Sequence, residues 1–153
     1  MKKLIVVIAM VGAVVGGWRW MRSEPAHEAA ADIVRNRIWI DHMPVGEKDT
    51  HAVFALWQPE AFGVFANRNR WRVELERFRY EMTGGEVQAV WPLSGVRRTL
   101  TIKAEKCRVD DWDFCLEIEG APSGVRRYYS RVGWERKDRR SVDEAIADVL
   151  GEE

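Results

Sequence analysis

Residues 70–82, RWRVELERFRYEM, are the stretch of sequence that decides the fold class. The apolar residues fall on odd positions in its first half and on even positions in its second half: Trp71, Val73 and Leu75, then Phe78, Tyr80 and Met82. Alternation with a period of two is typical of a β-strand that buries one face. The stretch therefore predicts one long strand whose buried face changes near its middle.

This change of face indicates how the sheet is built. A long strand does not stay flat on one side of a small sheet, and a β-bulge at a corner adds a residue and inverts the alternation. We place the extra residue at Glu76–Arg77, so that Leu75 and Phe78 both point inward. The alternative is a surface strand that exposes a few aromatic rings. The bulge favours a sheet that curves and closes.

The rest of the chain after residue 35 has the same period. Further strands are predicted at residues 36–40, 51–57, 62–67, 86–92, 96–107, 114–120 and 125–134. Glycine-containing turns at 83–85, 94–95 and 122–124 connect several of them, as in antiparallel hairpins. We predict a mainly β fold, an eight-stranded antiparallel up-and-down barrel at 36–134. A short helix or stalk at 23–35 precedes it, and a linker with a C-terminal amphipathic helix at 135–153 follows it.

The N-terminal segment 1–22, MKKLIVVIAMVGAVVGGWRWMR, indicates export. Two lysines precede an apolar run, and two Trp–Arg pairs follow it closely. The run suits a signal-peptide core, and with its tryptophans it reaches the length of a marginal membrane helix. A cleaved signal and an uncleaved anchor both stay open. We expect a domain anchored in the membrane and facing the periplasm or the extracellular side, or secreted if the signal is cleaved.

Cys107 and Cys115 are the only cysteines, and both fall on the outward face of adjacent predicted strands. Directly opposed Cβ atoms on antiparallel strands lie within about 5.5 Å, which is close to disulfide geometry. We predict a disulfide between them, with two free thiols as the alternative, and a disulfide suits an exported domain. The register this implies places Cys107 opposite Cys115, Lys103 opposite Glu119 and Glu105 opposite Glu117.

Large rings dominate the predicted interior, in a chain with eight tryptophans. An eight-stranded barrel is either filled by its own side chains or holds one small ligand, and both readings stay open. The candidate ligand-pocket residues are Trp39, Trp71, Val73, Phe78, Tyr80, Trp91 and Tyr128. A filled barrel that binds proteins would instead expose an apolar patch around Phe54 to Trp57. The second predicted strand is apolar on both faces, so either the C-terminal helix or a partner protein must cover one of them.

The C-terminal residues predict a short amphipathic helix. Ser141 and Glu144 have the spacing of a capping box, and Gly151 ends the helix. One face carries Val142, Ala145, Ile146 and Val149. A helix this short needs a surface to dock on, and we expect that surface to be the outside or the open end of the barrel.

One cluster has residue types that could carry chemistry: Asp41, His42, Glu47, Asp49 and His51. Such side chains could ligate zinc or act as acid and base. The two histidines lack the spacing of a zinc-binding helix, and Pro44 and Gly46 indicate a loop. We therefore expect no catalytic residue, no metal and no cofactor. The charge balance, 24 basic and 24 acidic residues, argues against a nucleic-acid partner.

With these features the chain resembles the calycin group, the lipocalin-like and fatty-acid-binding-like barrels. The resemblance covers residues 36–134 and rests on strand number and order, on a Trp in the first strand (Trp39, in NRIWID) and on a helix beside the barrel. The Gly-x-Trp motif common in lipocalins is not met, because Arg37 stands two residues before Trp39. The resemblance implies binding of a small apolar ligand, although fold does not fix function.

We therefore expect a non-catalytic module of the cell envelope that binds a small hydrophobic ligand or lipid. The alternative is a structural or protein-interaction module with a side-chain-filled barrel. Its expected partners are the membrane, through the N-terminal segment, and a small hydrophobic ligand or an envelope protein.

Overall fold

The structure is a computed structural model, and it describes residues 31–136, 144, 145 and 147. The strands are β1 (Ile38–Ile40), β2 (His51–Trp57), β3 (Phe62–Arg68), β4 (Val73–Thr83), β5 (Glu86–Val90), β6 (Arg97–Val109), β7 (Trp112–Glu119) and β8 (Arg127–Ser130). Each pairs antiparallel with the next, and β8 returns to β1, so the sheet is a closed barrel. The predicted eight-stranded antiparallel barrel is confirmed.

The barrel interior holds what we call the inner cluster. Its larger members are Trp39, Phe54, Leu56, Phe65, Phe78, Tyr80, Val87, Trp91, Leu100, Ile102, Phe114, Leu116, Ile118 and Tyr128. Apart from Trp91, which directly follows β5, they come from alternate positions on the strands, as the period-two pattern requires. Burying each such side chain contributes roughly 1.5–3 kcal/mol, so this cluster is the main source of stability of the barrel.

The predicted bulge in β4 is wrong. Pairing between β3 and β4 runs without interruption from Phe62 opposite Arg79 to Arg68 opposite Val73. Even-numbered β4 residues therefore face the interior side throughout, and odd-numbered residues face outward. Leu75 is apolar because it packs on a second cluster outside the barrel. The pattern changes phase because the outer face is partly covered, not because the strand turns over.

That second set of buried residues, the outer cluster, lies on the outside of β1, β2 and β3. Its members are Ile38, Ile40, Val53, Ala55, Trp57, Val64, Ala66 and Ala145. The C-terminal part of the chain covers it: Trp134 packs against it, and the Arg136 guanidinium lies 5.2 Å from the Trp57 ring centroid. Of the two covers expected for the second face of β2, the C-terminal part of the chain is the one observed. No apolar patch is exposed around Phe54 to Trp57, since β2 is buried on both faces.

The C-terminal helix is described at three positions, Glu144, Ala145 and Ala147, all of which are helical. Ala145 is buried in the outer cluster, so this part of the chain docks on the outside of the barrel. The other residues predicted for this helix lie outside the described residues.

The end of the barrel where β1 begins is closed by the segment before it. Residues 31–34 are helical, and the Trp39 indole N–H donates to the Val34 carbonyl oxygen at 3.2 Å. Arg37 is buried there, with its guanidinium 3.9 Å from the Phe114 ring centroid and paired with Glu135. Burial lowers the pKa of Arg37, and the neighbouring Glu135 opposes that effect. The contact between Arg37 and the Phe114 ring and the ion pair between Arg37 and Glu135 together close this end of the barrel.

The opposite end, where β1 stops, is called the loop end. It carries the β1–β2, β3–β4, β5–β6 and β7–β8 connections, at residues 41–50, 69–72, 91–96 and 120–126. In the part of the chain that the structure describes, no helix is long and apolar enough to cross a membrane. The predicted signal or anchor at 1–22 lies outside the described residues, as does most of the stalk.

The Cys107–Cys115 disulfide is present, with the Cα atoms 5.6 Å apart. The predicted register of this hairpin is wrong by two residues: Glu105 lies opposite Cys115, and Lys103 lies opposite Glu117. The pairing becomes irregular between Lys106 and Val109, and Cys107 forms the disulfide from within this irregular stretch. The observed register avoids the unfavourable Glu–Glu pair, because a lysine takes the place opposite Glu117.

Candidate functional site

The candidate ligand-pocket residues divide into two groups. Trp39, Phe78, Tyr80, Trp91 and Tyr128 lie in the inner cluster, as expected. Trp71 and Val73 do not: they lie on the outer side of the β3–β4 hairpin and are 72% and 53% exposed. The expectation that these two line a pocket fails because it depended on the bulge in β4.

The inner rings pack directly against one another. Successive ring centroids lie 4.9 Å apart for Phe54–Phe65, 5.3 Å for Phe65–Phe78 and 5.1 Å for Phe78–Trp91. These separations are those of favourable aromatic pairs. Gly63 permits this packing, because a Cβ there would overlap the Phe78 ring and lie 2.8 Å from Leu56 Cδ2. Side chains of the protein itself thus occupy the space along this row of rings.

The two buried tyrosines are anchored as neutral phenols. The Tyr80 hydroxyl donates to the Trp57 carbonyl oxygen at 3.3 Å, and the Tyr128 and Ser123 hydroxyl oxygens are 3.2 Å apart. Burial raises the pKa of Tyr80, and it raises the pKa of Tyr128 to about 12. Burial thus favours the neutral, hydrogen-bonded phenol at both positions, which suits a structural role.

Trp91 differs from these anchored side chains. Its ring is in the inner cluster, yet its indole N–H is buried and has no acceptor among the described residues. An unsatisfied buried donor costs about 1–3 kcal/mol. Trp91 is the one inner side chain among the pocket candidates with an unused polar atom of this kind in the described part of the chain.

The β1–β2 loop brings part of the predicted polar cluster together. His42 Nδ1 lies 3.0 Å from Asp41 Oδ1, and His42 Nε2 lies 3.3 Å from Asp49 Oδ1. Partial burial disfavours the charged imidazole, but the hydrogen bonds and charges of Asp49 and Asp41 outweigh it, so the pKa of His42 is raised. Because carboxylates occupy both ring nitrogens, His42 holds the loop rather than serving a substrate.

The rest of that predicted cluster is dispersed. His51 is buried, with its ring edge-on to His42 and the centroids 6.5 Å apart. Glu47 points the other way and pairs with Arg70. Among the described residues no group of three or more His, Cys, Asp or Glu side chains is arranged to hold a metal ion. The cluster organises a loop, and its geometry points to no reaction.

The described residues line two shallow grooves on the outer surface of the barrel. One, of about 260 Å³, runs over β6, β7 and β8 and is lined by Lys103, Glu117 and Tyr129 beside the disulfide. The other, of about 320 Å³, lies between His42 and the β6–β7 tip and again includes Tyr129. Both have linings of mixed charge, and neither places a reactive group against an unused partner.

The loop end carries most of the exposed large apolar side chains. Six lie on or beside its loops: Met43, Val45, Trp71, Val73, Leu93 and Val96. Trp71 is held out by an ordered turn, because Asn69 Oδ1 accepts the backbone N–H groups of Trp71 and Arg72, each at 2.9 Å. The Arg70 N–H donates to the Glu47 carbonyl oxygen at 3.1 Å, which ties this turn to the β1–β2 loop.

Sequence reasoning missed this surface. Its signal was the Asn-Arg-Trp-Arg sequence at 69–72, in which an Asn can cap a turn and charged neighbours indicate exposure.

The structure defines the class of protein as an eight-stranded antiparallel closed barrel, consistent with a calycin-like architecture. No protein-family model, no curated protein and no solved structure matches the chain. The calycin resemblance therefore rests on architecture alone.

Proposed function

We propose that this protein is a non-catalytic interaction domain of the cell envelope that binds another protein through its loop end. The single observation that supports this is the contrast between its aromatic side chains. The inner rings are packed against one another, whereas Trp71 is 72% exposed on an ordered turn.

An exposed tryptophan on a rigid support suits a binding anchor. Tryptophan is enriched among the residues that contribute most to protein–protein binding, and exposed apolar groups that lie together mark interaction sites. Trp71 has Val73 beside it on the same outward side, and the turn that presents it is fixed by Asn69. Little conformational entropy would be lost when a partner covers this ring.

The position of the loop end relative to the N-terminal segment suits a partner in the envelope compartment. The disulfide is weakly compatible with an exported protein, because disulfides persist in oxidising compartments. If residues 1–22 tether the chain to a membrane, β1 leads away from the tether, and the loop end lies at the far end of the barrel. The exposed Trp71 would then be directed towards other envelope proteins rather than towards the anchoring bilayer.

A lipocalin-like ligand carrier is the second candidate, and the observation that favours it is Trp91. Its buried indole N–H lacks an acceptor among the described residues, and a small ligand with an acceptor atom and an apolar body would satisfy it. Such a ligand has to displace or reorder the ring that lies against Phe78 at 5.1 Å.

The two functions differ in what the purified protein carries. The full chain is purified from cells that express it in their envelope, so that its disulfide forms. Its mass is measured by mass spectrometry under native and denaturing conditions, and an organic extract of the same sample is analysed in parallel. We expect a bare mass and no change when fatty acids or hydrophobic dyes are added. A bound lipid or pigment that leaves on denaturation, and that a Trp91→Phe variant fails to retain, would overturn the interaction domain and establish the carrier.

A further inference from the structure

Within the part of the chain that the structure describes, the first half of β4 has a backbone edge without a partner strand. Residues 73–77 pair with β3 on one side. On the other side, β5 pairs only with Arg79–Thr83 of β4 and ends at Val90. The chain then turns back on itself, with the Trp91 N–H donating to the Val96 carbonyl oxygen at 2.9 Å. We call this side of residues 73–77 the unpaired edge.

The hydrogen-bonding direction of each edge residue follows from the turn. The Asn69 N–H donates to the Arg72 carbonyl oxygen at 2.9 Å, so Arg72 directs its backbone groups towards β3. Alternate residues of an antiparallel strand bond to the same side. Glu74 and Glu76 therefore also bond to β3, and Val73, Leu75 and Arg77 direct their N–H and C=O groups to the unpaired edge.

The two faces of this edge differ in chemistry. On the outward face lie Val73 and Leu75, next to the exposed Trp71 ring, and then the exposed Arg77. The inward face carries Glu74 and Glu76 at exposed positions, and Glu74 pairs with Arg72. A strand added here would meet mainly apolar side chains at 71–75 on one face and two carboxylates, one of them already paired with Arg72, on the other.

The glutamates exclude a second copy of this chain as the added strand. When two β4 edges pair antiparallel about a twofold axis, odd-numbered residues lie opposite odd-numbered residues and even-numbered residues opposite even-numbered ones. The axis therefore passes through a residue, which lies opposite its own copy. An axis at Leu75 places Glu74 opposite Glu76 twice, and an axis at either glutamate places that residue opposite itself. An axis at Val73 would need the Trp71 backbone, whose N–H already donates to Asn69 Oδ1, and an axis at Arg77 would need Arg79, which already pairs with β5. Like charges directly opposite each other are destabilising, and charged edges prevent self-association in this way.

We propose that the unpaired edge of β4 binds an extended segment of another protein, in which apolar residues alternate with lysine or arginine. The segment adds a strand to the sheet, its apolar residues cover Trp71, Val73 and Leu75, and its basic residues face Glu74 and Glu76. Main-chain hydrogen bonds to Val73, Leu75 and Arg77 supply affinity, and the side chains supply specificity. This inference rests on the proposed function and names the partner's chemistry.

The test uses the full chain in a mild detergent and two synthetic peptides. One alternates valine with lysine, and the other has glutamate in place of every lysine. We expect the basic peptide to bind at least about tenfold more tightly. Amide exchange locates the site: the N–H groups of Val73, Leu75 and Arg77 exchange fast in the free protein and slowly with saturating basic peptide, whereas Glu74 and Glu76 are protected in both.

Two matched pairs of variants separate backbone pairing from charge. Arg77→Pro removes one edge N–H and should abolish peptide binding, and the variant should still fold because an edge position tolerates proline. Arg77→Ala keeps that N–H, so its affinity for the basic peptide should stay within a few-fold of that of the parent. Glu76→Lys should weaken the basic peptide about tenfold and strengthen the acidic one. Glu81→Lys makes the same charge change where β4 is paired with β5, and it should alter neither peptide.

Several results would overturn the proposal. They are equal binding of both peptides, no slowing of the three edge amides, or unchanged binding by Arg77→Pro. A dimeric free chain whose edge amides are already protected would identify a second copy as the occupant and equally overturn it. These failures are distinct from failure of the proposed function, which is decided by the mass of the chain and any ligand it carries.

Discussion

The β3–β4 and β6–β7 hairpins each have a tryptophan near the tip, and the two rings have opposite environments. Trp71 is 72% exposed; its backbone N–H donates to Asn69, and its ring has the Arg70 guanidinium 5.6 Å from its centroid. Trp112 stacks on Tyr129 with centroids 5.5 Å apart, meets the edge of Trp134 at 5.7 Å, and has the Arg131 guanidinium over it at 4.8 Å. The disulfide lies just behind this second tip.

The difference indicates which tip is structural and which is available to bind. At the β6–β7 tip, a covalent bond and aromatic contacts keep the hairpin against the outside of β8. At the β3–β4 tip, hydrogen bonds shape the backbone and leave the ring uncovered. Among the described residues, the unpaired edge of β4 lies next to this ring and not next to Trp112. The exposure of Trp71 is therefore a local feature of the β3–β4 tip and not a general looseness of the hairpins, as the proposed binding site requires.

The largest expected effect comes from breaking the base of the β3–β4 hairpin. Gly63→Ala places a methyl group in the volume of the Phe78 ring, which is held between Phe65 and Trp91. Overpacking of this kind costs about 3 kcal/mol. Urea unfolding monitored by fluorescence measures the loss.

Gly46→Ala is the matched control, because a Cβ at Gly46 has no atom within 4 Å. Its free energy of unfolding should change by less than about 0.5 kcal/mol. Equal losses in the two variants would show that the ring row does not depend on the glycine in β3.

The second effect concerns the other hairpin. Replacing Cys107 and Cys115 by serine removes a cross-link with a sequence separation of 8, which stabilises the protein by about 2.5 kcal/mol on the chain-entropy account. Amide exchange should rise around Asp110 and Trp112 and stay unchanged at the Asn69 turn. If both tips lost protection to the same extent, the disulfide would support the whole barrel and not one hairpin.

The third prediction compares the two tryptophans directly. Trp112→Ala removes contacts with Tyr129, Trp134 and Arg131 and should cost about 2 kcal/mol of unfolding free energy. Trp71→Ala should change it by less than about 0.5 kcal/mol, yet it should weaken binding of the basic peptide severalfold. Denaturant unfolding and peptide titration of both variants check this. A large loss of stability from Trp71→Ala would mean that its ring packs within the protein.

The sequence was sufficient for the strands and their order, because period-two runs and glycine turns are local signals. It also predicted the disulfide, since both cysteines fall on outward positions of neighbouring strands. It failed at β4: the alternation around Leu75 does not reveal that residues far along the chain, including Trp134, cover the outside of the neighbouring strands. Local pattern reports burial, but it does not distinguish the inside of a barrel from a covered outside.

The candidate site was less predictable than the fold. Five of the pocket candidates lie inside, but whether rings fill a barrel depends on close packing across it, such as Phe78 over Gly63. The unpaired edge depends on where β5 ends relative to β4. Both are properties of register, which alternation alone leaves open.

The smallest expected effect is pH-dependent and acts on the β3–β4 tip alone. His42, 44% exposed in its side chain, holds the β1–β2 loop through Asp41 and Asp49, and that loop supports the Trp71 turn through Glu47 and Arg70. The pKa of His42 is raised above its ordinary value of 6.5. Its stabilisation is therefore fully present below pH 6.5 and is lost as the pH rises through the folded-state pKa.

The lower limit of this window is set by Asp49. The Val45 backbone N–H and His42 hold its pKa below the ordinary 3.8, so its contribution is present above that pH and is lost on further acidification. Between pH 5 and 9, the stability difference between the parent and His42→Gln should shrink by less than about 1 kcal/mol, since solvent screens so exposed a group. Amide exchange at Arg70 should rise over the same range. A matching rise at the disulfide-linked tip, which His42 faces across the outer groove, would show that the effect of His42 is not confined to the β3–β4 tip.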